Sequence, residues 1–563
     1  MSTDVQALVD RIRDGVIGSR QTMHGPYGTR PVVYADYTAS GRALDFVEDA
    51  IRDHVLPTYA NTHTESSGTG LQTTRFREDA REIIRSCVGA DDEYAVLFCG
   101  SGSTGAIDRL VHVLGLRVPE RLSDHVTLEP TDRPVVFIGP YEHHSNDLAW
   151  RETIADVVTI HEDLDGGIDL ADLEAKLVAH ADRPLLIGSF SAASNVTGII
   201  TDTTAVSCLL HEHGALAIWD YAAAAPYVEI DVAPEGGKDQ GSDPDHYFDA
   251  VVLSPHKMVG GPGTPGLLVA RKDLFTNRVP SVPGGGTVWY VNPTEHHYLD
   301  DIEHREEGGT PDIVGSIRAG LVFALKDSVG ADEIRRREDA FITRAIDRWR
   351  VHPKIEILGS LERERLSIVS FVVAHDRPGR YLHHNFVVAL LNDLFGIQSR
   401  GGCSCAGPYG HRLLGIDVDA SRALEREIGT GCEGIKPGWV RVNFNYFIDE
   451  EEFGYILSAV ELVAGHGIEL LADYRFDART GRWQHREATE AGIERLADLV
   501  IGQDGFTQTR PARGRDEVSL SEHLAAAHEL LHRRRPAVDP GWPEVSEDFE
   551  SLRWFPLPAE VAG

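Results

Sequence analysis

Short apolar runs alternate with amphipathic stretches through the first half of the chain. The four clearest runs lie at 94–99, 134–140, 184–190 and 215–221. Their length and apolar character are typical of strands that are buried on both faces. Helix-like stretches, such as 104–114 and 204–213, separate them. This βαβα rhythm predicts a largely parallel sheet covered by helices on both sides.

Two further apolar runs, 250–254 and 266–270, have only a Gly/Pro-rich connection between them. A parallel crossover needs a longer connection, usually a helix, so we predict that these two strands pair antiparallel. The sheet is therefore expected to be mixed.

The pattern changes after about residue 315. A helix, a strand and a second helix are predicted at 317–329, 365–374 and 385–396. The segment 439–447 alternates apolar and polar residues, which is typical of a strand with one apolar and one polar face. Arg441 belongs to the polar set, together with Asn443 and Asn445.

These patterns predict an α/β protein with a second, smaller α+β domain. We place an N-terminal helical segment at 1–30, a large domain at 31–315, the small domain at 316–470, and a polar C-terminal extension at 471–563. Helix-like stretches within the extension lie at 487–501 and 520–534.

Composition and charge narrow the classes of function. The 563 residues include 54 Lys+Arg and 88 Asp+Glu, a formal net charge of −34, which argues against a nucleic-acid partner. No apolar window is long enough to predict a membrane span, and the N-terminus lacks the apolar core of a signal peptide. Six cysteines are too few for a disulfide scaffold, so we expect a reduced, cytoplasmic protein.

The first candidate for chemistry is a glycine-rich turn after the strand at 94–99. The run Gly100-Ser101-Gly102-Ser103-Thr104-Gly105 opens a helix, where backbone N–H groups and hydroxyls bind anions. Its literal GxGxxG pattern also occurs in dinucleotide sites, but those carry an acidic residue at the end of the second strand. Here that strand ends in Gly139-Pro140, which favours a cradle for a different phosphate.

A lysine and an aspartate follow two other predicted strands. Asp220 ends the run at 215–221, and Lys257 follows the run at 250–254. Pyridoxal phosphate requires a lysine for its Schiff base and a carboxylate on its pyridine nitrogen. Ser254 and His256, on the loop of the lysine, can add contacts to the phosphate or the ring.

Two more polar residues follow strands of the same sheet. His143 comes after the strand at 134–140 and can stack on a cofactor ring, and Asn195 comes after the strand at 184–190 and can bond the ring's phenolic oxygen. Open α/β sheets bind ligands at the carboxyl ends of their strands, so these side chains are expected to converge.

At this point the sequence resembles the class V aminotransferase family of fold-type I pyridoxal-phosphate enzymes, and within it the cysteine desulfurases. The matching segments stand in family order: YADYTASGRA (34–43), GSGSTGAI (100–107), EHHSN (142–146), SNVTG (194–198), WDYAAAAPY (219–227), SPHKMVGGPG (254–263), EEGGTPD (306–312), SRGGCSCAGP (399–408) and WVRVNF (439–444).

The resemblance implies a fold-type I transferase, a homodimer and roles for the cofactor site. Lys257 corresponds to the Schiff-base lysine, Asp220 to the pyridinium partner and His143 to the ring-stacking histidine. Phosphate contacts correspond to Ser103, Thr104, Ser254 and His256. Thr310 resembles a phosphate contact that the partner subunit of the dimer delivers.

The resemblance also implies a substrate site and a nucleophile. Arg441 corresponds to the arginine that binds the substrate carboxylate, Arg400 to an arginine of the cysteine loop and Cys405 to the nucleophilic thiol. The implied reaction is cleavage of the C–S bond of L-cysteine, which leaves alanine and a Cys405 persulfide for a sulfur-acceptor protein. Cys403 is expected to be a second nucleophile, a relay or a regulatory partner. A lone CxC lacks the four ligands of a structural zinc site, so no metal is predicted.

Two positions depart from the desulfurase pattern. Ala223 stands where the family's desulfurases carry a glutamine, and Cys403 and Ser404 stand where histidines often precede the catalytic cysteine. The alternative is therefore a class V aminotransferase, an epimerase or another pyridoxal-phosphate lyase that acts on an amino acid without a catalytic thiol.

Overall fold

The computed structural model describes residues 3–62, 64–234, 246–488, 495–503, 505–508, 518–533 and 545–561. The predicted surface loop at 235–245 lies outside these residues. The chain divides into two compact units. The first comprises Met1–Ile17, Tyr37–Asp339 and Gly359–Leu366, and the second Gly18–Asp36, Ala340–Leu358 and Ser367–Gly563.

The strands of the described residues, in chain order, are β1 Thr22–Gly25, β2 Gly28–Pro31, β3 Val33–Tyr34, β4 Tyr94–Cys99, β5 Val135–Ile138, β6 Asp156–Thr159, β7 Leu186–Ser191, β8 Leu216–Asp220, β9 Ala250–Leu253, β10 Gly266–Arg271, β11 Val288–Val291, β12 His296–Tyr298, β13 Ile355–Ile357, β14 Ile368–Val373, β15 Ile397–Gln398, β16 Arg400–Gly402, β17 Trp439–Asn443, β18 Tyr474–Asp477, β19 Arg482–His485, β20 Leu499–Gly502 and β21 Gly505–Gln508.

The α-helices are α1 Thr3–Gly15, α2 Asp45–Ala50, α3 Gly68–Cys87, α4 Gly102–Val113, α5 Glu120–Ser123, α6 Leu148–Arg151, α7 Leu170–Ala179, α8 Thr203–Glu212, α9 Ile302–Glu306, α10 Ile313–Val329, α11 Ala331–Trp349, α12 His384–Phe395, α13 Gly407–Leu413, α14 Val418–Gly429, α15 Glu450–His466, α16 Leu520–Leu531 and α17 Glu547–Leu552.

A seven-stranded sheet in the order β4-β10-β9-β8-β7-β5-β6 forms the centre of the first unit. Strands β5 to β9 pair parallel with one another, whereas β10 runs antiparallel to both β4 and β9. The predicted mixed, mostly parallel sheet is thereby confirmed. Every residue of β4, β5, β7 and β9 is buried, as their continuous apolar runs require.

The first unit extends to Asp339, beyond the boundary at 315 that the change of pattern suggests. The reason is α10, which packs against α3. Gly320 permits this approach, because a Cβ there would lie 2.6 Å from the Cβ of Ala80.

The N-terminal segment 1–30 is only half helical. Helix α1 ends at Gly15, and β1 and β2 then pair as an antiparallel hairpin. Helix α1 belongs to the first unit and the hairpin to the second. The hairpin's strands are only four residues long and half exposed, too short for a clear alternation.

The second unit contains an antiparallel sheet in the order β13-β14-β17-β16. All five residues of β17 are buried. The polar face predicted for 439–447 is therefore not a solvated face, since Arg441, Asn443 and Asn445 are each only 3% exposed. Buried polar groups require hydrogen-bond partners, and Asp36 is one such partner of Arg441.

The C-terminal extension belongs to the second unit. Helix α16, predicted at 520–534, packs on α15, but Leu499–Gly502 is a strand, so the helix predicted at 487–501 is wrong in its described C-terminal part. Residues 545–561, which we call the strap, end the described chain. Trp554 of the strap donates from Nε1 to the carbonyl of Ile435 (3.1 Å), and its own carbonyl accepts the N–H of Tyr381 (3.0 Å).

One helical stretch of the described residues, Glu450–Asp473, is long and apolar enough to cross a membrane by length and composition alone. Of its apolar window, 56% is buried within the protein, which is the pattern of a core helix.

Candidate active site

The glycine-rich turn of the first unit forms a closely packed cradle. Gly102 begins α4 with a φ of +56°, a conformation that glycine adopts without strain. A Cβ at Gly102 would lie 2.9 Å from Ser254 Oγ and 3.0 Å from His256 Cε1. Ser103 donates its N–H to Ser254 Oγ (2.8 Å). The structure thus brings together Ser103, Ser254 and His256, three residues that the sequence assigns to a phosphate.

Lys257 lies in a single helical turn, Pro255–Lys257, that directly follows β9. The lysine's turn packs against the segment around Gly41, whose N–H donates to the carbonyl of His256 (2.8 Å). A side chain at Gly41 would overlap the carbonyl oxygen of Met258, so the close approach requires glycine.

Asp220, the last residue of β8, is buried and faces the charge of Lys257. Its Oδ1 accepts the N–H of Ala222 (2.8 Å). Burial raises the pKa of Asp220, and the N–H of Ala222 and the charge of Lys257 oppose that rise only in part. A cationic ring nitrogen beside this buried carboxyl would stabilise its ionised form, so the site fits a protonated pyridine.

The loop after β5 carries His143 and links it to the start of α4. His143 Nδ1 accepts the N–H of Ser145 (3.1 Å), and Ser145 Oγ lies 3.0 Å from the same nitrogen. The hydroxyls of Ser145 and Thr104 share a hydrogen bond of 2.7 Å. Ser145 is not predicted from the sequence, where its only signal is its place two residues after a candidate histidine.

Glu142, a second buried carboxyl near Asp220, is not predicted from the sequence. It accepts hydrogen bonds from Asn146 Nδ2 (2.7 Å), Ser191 Oγ (2.6 Å) and Ser191 N–H (3.0 Å). Burial raises the pKa of Glu142 to about 7, and the charge of Asp220 adds to the rise. Glu142 therefore fixes the carboxyl ends of β5 and β7 around the site.

Asn195 and Thr310 have different environments. Asn195 is buried, 7% exposed, in the loop that follows β7. Thr310 is exposed, and its hydroxyl accepts a hydrogen bond from Asn61 Nδ2 (3.3 Å). In this chain, Thr310 is thus tied to the segment around Asn61 and not to the start of α4.

The second unit presents two arginines on neighbouring strands. Arg441 of β17 stands opposite Arg400 of β16 in the antiparallel register, so their side chains share one face. Arg441 is buried and donates from Nη2 to Asp36 Oδ1 (2.7 Å). Two guanidinium groups on one face repel each other unless a carboxylate lies near, and Asp36 supplies one.

The cysteine loop of the second unit is strained. The N–H of Ala406 donates to the carbonyl of Cys403 (3.1 Å), which closes a turn over Ser404 and Cys405. These two residues have φ values of +51° and +57° and are the non-glycine residues of positive φ in the described chain. Such backbone strain costs of order 1 kcal/mol per residue and concentrates at functional sites.

The fold and the first unit's cluster together define a fold-type I pyridoxal-phosphate-dependent transferase. The family model for aminotransferase class-V matches residues 33–452. The chain therefore belongs to the aminotransferase class-V family, whose members use pyridoxal phosphate.

The chain is also similar to individual proteins that are named cysteine desulfurases. A probable cysteine desulfurase of Halalkalibacterium halodurans is 28% identical over 395 residues, which are 69% of this chain and 87% of the relative. A cysteine desulfurase of Dickeya dadantii is 27% identical over 406 residues, 71% of this chain and 88% of the relative. The apo structure of a cysteine desulfurase from Thermococcus onnurineus shares the fold with a TM-score of 0.63 and 24% identity, over 81% of this chain and 97% of its own.

Proposed function

We propose that this protein is a pyridoxal-phosphate-dependent cysteine desulfurase that converts L-cysteine to alanine and a persulfide on Cys405. The observation that carries the proposal is the strained turn of the second unit, which places a half-buried thiol at Cys405. An aminotransferase has no need for a thiol in a costly conformation. The relatives named above as cysteine desulfurases support the same reading.

The residues of the first unit would hold the cofactor. The space above Gly102 is bordered by Ser103, Ser254 and His256. A side chain would not fit in this space, but a phosphate oxygen there would have hydrogen-bond donors nearby. Asp220 would pair with the ring nitrogen. When bound, pyridoxal phosphate supplies an electron sink for the negative charge that forms on the substrate's Cα.

The protein's own groups carry the remaining steps. Arg441 holds the substrate carboxylate through two parallel hydrogen bonds, a geometry that guanidinium provides and ammonium does not. Lys257 accepts the Cα proton as a general base. The Cys405 thiolate then attacks the substrate sulfur, and the substrate C–S bond breaks. Alanine leaves after Cβ takes up a proton and Lys257 returns the proton to Cα.

Replacing the nucleophile tests this assignment. We expect Cys405→Ser to bind the cofactor with the wild-type absorbance but to form no persulfide from L-cysteine. Cys432→Ser is the matched control, because Cys432 is also a half-buried thiol of the second unit but lies outside the turn. Persulfide formation by Cys405→Ser at the wild-type rate would refute the role of Cys405.

A class V aminotransferase or lyase without a catalytic thiol is the second candidate. Ala223, which stands at the place of the desulfurases' glutamine, is buried in the turn after β8 and offers no side-chain hydrogen bond to a cofactor. This candidate predicts that amino acids without sulfur are turned over as fast as L-cysteine, and that Cys405→Ser retains this activity.

A further inference from the structure

Cys403 and Cys405 occupy the two ends of a three-residue span inside one closed turn. The hydrogen bond from Ala406 N–H to the Cys403 carbonyl (3.1 Å) fixes the turn. Residues two apart in such a turn have Cα atoms roughly 5–7 Å apart, which is the range that lets two cysteine sulfurs meet.

The two thiols differ in exposure. Cys403 is exposed, whereas Cys405 is half-buried. A sulfur atom carried on Cys405 is therefore partly shielded by the protein, whereas a sulfur atom carried on Cys403 is exposed at the surface. Gly402, with a φ of +115°, precedes Cys403 and lets the chain leave β16 sharply.

Three of the four remaining described cysteines, Cys87, Cys99 and Cys432, have raised thiol pKa values. Burial raises the pKa of Cys99 to about 12 and that of Cys87 to about 11, which keeps both thiols protonated. Burial also raises the pKa of Cys432. Only a thiolate is an effective nucleophile, so a raised pKa lowers the reactivity of these three thiols.

We propose that Cys403 is a second sulfur-carrying residue, which takes the terminal sulfur from the Cys405 persulfide and presents it to the acceptor. The inference rests on the proposed desulfurase function. The Cys403 thiolate attacks the outer sulfur of Cys405–S–SH, the S–S bond to Cys405 breaks, and a new S–S bond forms on Cys403. Cys405 leaves as a thiolate, so charge, protons and electrons balance without an oxidant or a reductant.

Peptide mapping after a single turnover tests where the sulfur resides. The holoenzyme is mixed with L-cysteine, quenched with iodoacetamide, digested and analysed by mass spectrometry. We expect the extra sulfur on both cysteines of the wild type, on Cys405 alone in Cys403→Ser and Cys403→Ala, and on neither cysteine in Cys405→Ser. Extra sulfur that never reaches Cys403 in the wild type would overturn the relay, as would loading of Cys403 in Cys405→Ser.

The same sample separates the relay from the function on which it rests. Alanine formed with a loaded Cys405 but an unloaded Cys403 overturns the relay alone. Absence of alanine in the wild type overturns both the proposed function and the relay.

Transfer to thiols of two sizes gives a second readout. Dithiothreitol reaches a half-buried sulfur, whereas a thiol attached to dextran does not. We expect Cys403→Ser to slow sulfur transfer to the dextran thiol much more than transfer to dithiothreitol. The ratio of the two rates should change roughly tenfold. Cys432→Ser should slow neither selectively. An equal slowing of both acceptors in Cys403→Ser would assign Cys403 a structural role and refute the relay.

Discussion

Gly102 lies at the start of the cradle of the first unit, close to Ser254 and His256. We expect Gly102→Ala to weaken pyridoxal-phosphate binding by roughly tenfold or more, because the new Cβ occupies the space between Ser254 and His256. Absorbance titration with the cofactor measures the effect.

The matched control is Gly115→Ala, since Gly115 also has a positive φ of +68° but a Cβ there meets nothing within 4 Å. It should cost about 1 kcal/mol of stability and leave the cofactor affinity unchanged. Equal affinity losses in the two variants would show that backbone strain, not crowding of the cradle, weakens binding.

Arg441 is the residue whose chemistry decides substrate binding in the proposed reaction. We expect Arg441→Lys to raise the KM for L-cysteine roughly tenfold to a hundredfold with a smaller change in kcat, because lysine cannot form the paired hydrogen bonds to a carboxylate. Steady-state kinetics with L-cysteine measure the KM and kcat of the variant.

Arg344→Lys serves as its control, because Arg344 is an exposed arginine of the same unit that pairs with Glu450 (2.7 Å). Its kinetics should match the wild type. A normal KM in Arg441→Lys would remove Arg441 from the substrate site.

At the scale of elements, a buried ion network joins α3 to the segment after α9. Glu307 accepts hydrogen bonds from Arg81 (3.1 and 3.0 Å) and from the N–H of Phe98 (2.7 Å), and it also pairs with Arg77. Burial alone would raise the pKa of Glu307, but the charges of Arg81 and Arg77 outweigh it and hold the pKa below its usual value. The network fixes the chain just before Thr310.

Removing the central charge of this network should be costly. We expect Glu307→Gln to lower the free energy of unfolding of the first unit by about 3–5 kcal/mol, since it leaves buried guanidinium groups without their counter-ion. Chemical denaturation measures the change. Glu82→Gln, which removes an exposed partner of Arg85, should cost at most about 0.5 kcal/mol. Similar losses in both variants would contradict the importance of burial.

The strands that the sequence predicts well are those whose signal lies in a short stretch of neighbouring residues. Strands β4, β5, β7 and β8 are local apolar runs, so periodicity locates them, and the short link between β9 and β10 dictates an antiparallel pair. The alternation of β17 predicts its polar face but not the burial of that face, because alternation does not distinguish a solvated face from a buried polar one. Only the folded chain shows which faces are covered.

Part of the candidate site is also predictable from the sequence, and part is not. Asp220 and Lys257 follow strands of one sheet, so the topology alone predicts their approach. The pairing of Arg441 with Asp36 spans 405 positions, and no local pattern encodes it. Glu142 was missed because a carboxylate after a strand usually caps or faces solvent, and its burial depends on the packing of β5 beside β7.

At the scale of the whole molecule, Glu560 stabilises the strap of the second unit. Burial alone would raise the pKa of Glu560, but hydrogen bonds from Arg553 and from the N–H of Leu557, with the charges of Arg553 and Arg380, lower it to about 2. The strap therefore contributes stability that depends on an ionised carboxylate.

A carboxyl with a lowered pKa in the folded state stabilises it fully above about pH 4.5 and loses that contribution as the pH falls towards 2. We expect Glu560→Gln to lower the free energy of unfolding at pH 7 by roughly 1–3 kcal/mol and to flatten its decline below pH 4.5. Denaturant titration of the second unit across pH measures both effects.

Glu547→Gln is the control within the strap, because Glu547 is exposed. It should leave the pH profile as in the wild type. An unchanged profile in Glu560→Gln would show that the strap is not held by this ion pair.

The central claim is that the chain cleaves the C–S bond of L-cysteine and keeps the sulfur on its own thiol. The most direct measurement quantifies alanine and protein-bound persulfide together in one single-turnover reaction of the holoenzyme with L-cysteine. We predict equal amounts of the two products, and loss of both in Lys257→Ala. Turnover of L-cysteine to a keto acid, or its epimerisation, without alanine and persulfide would contradict the claim and assign the site to the thiol-independent chemistry of the same family.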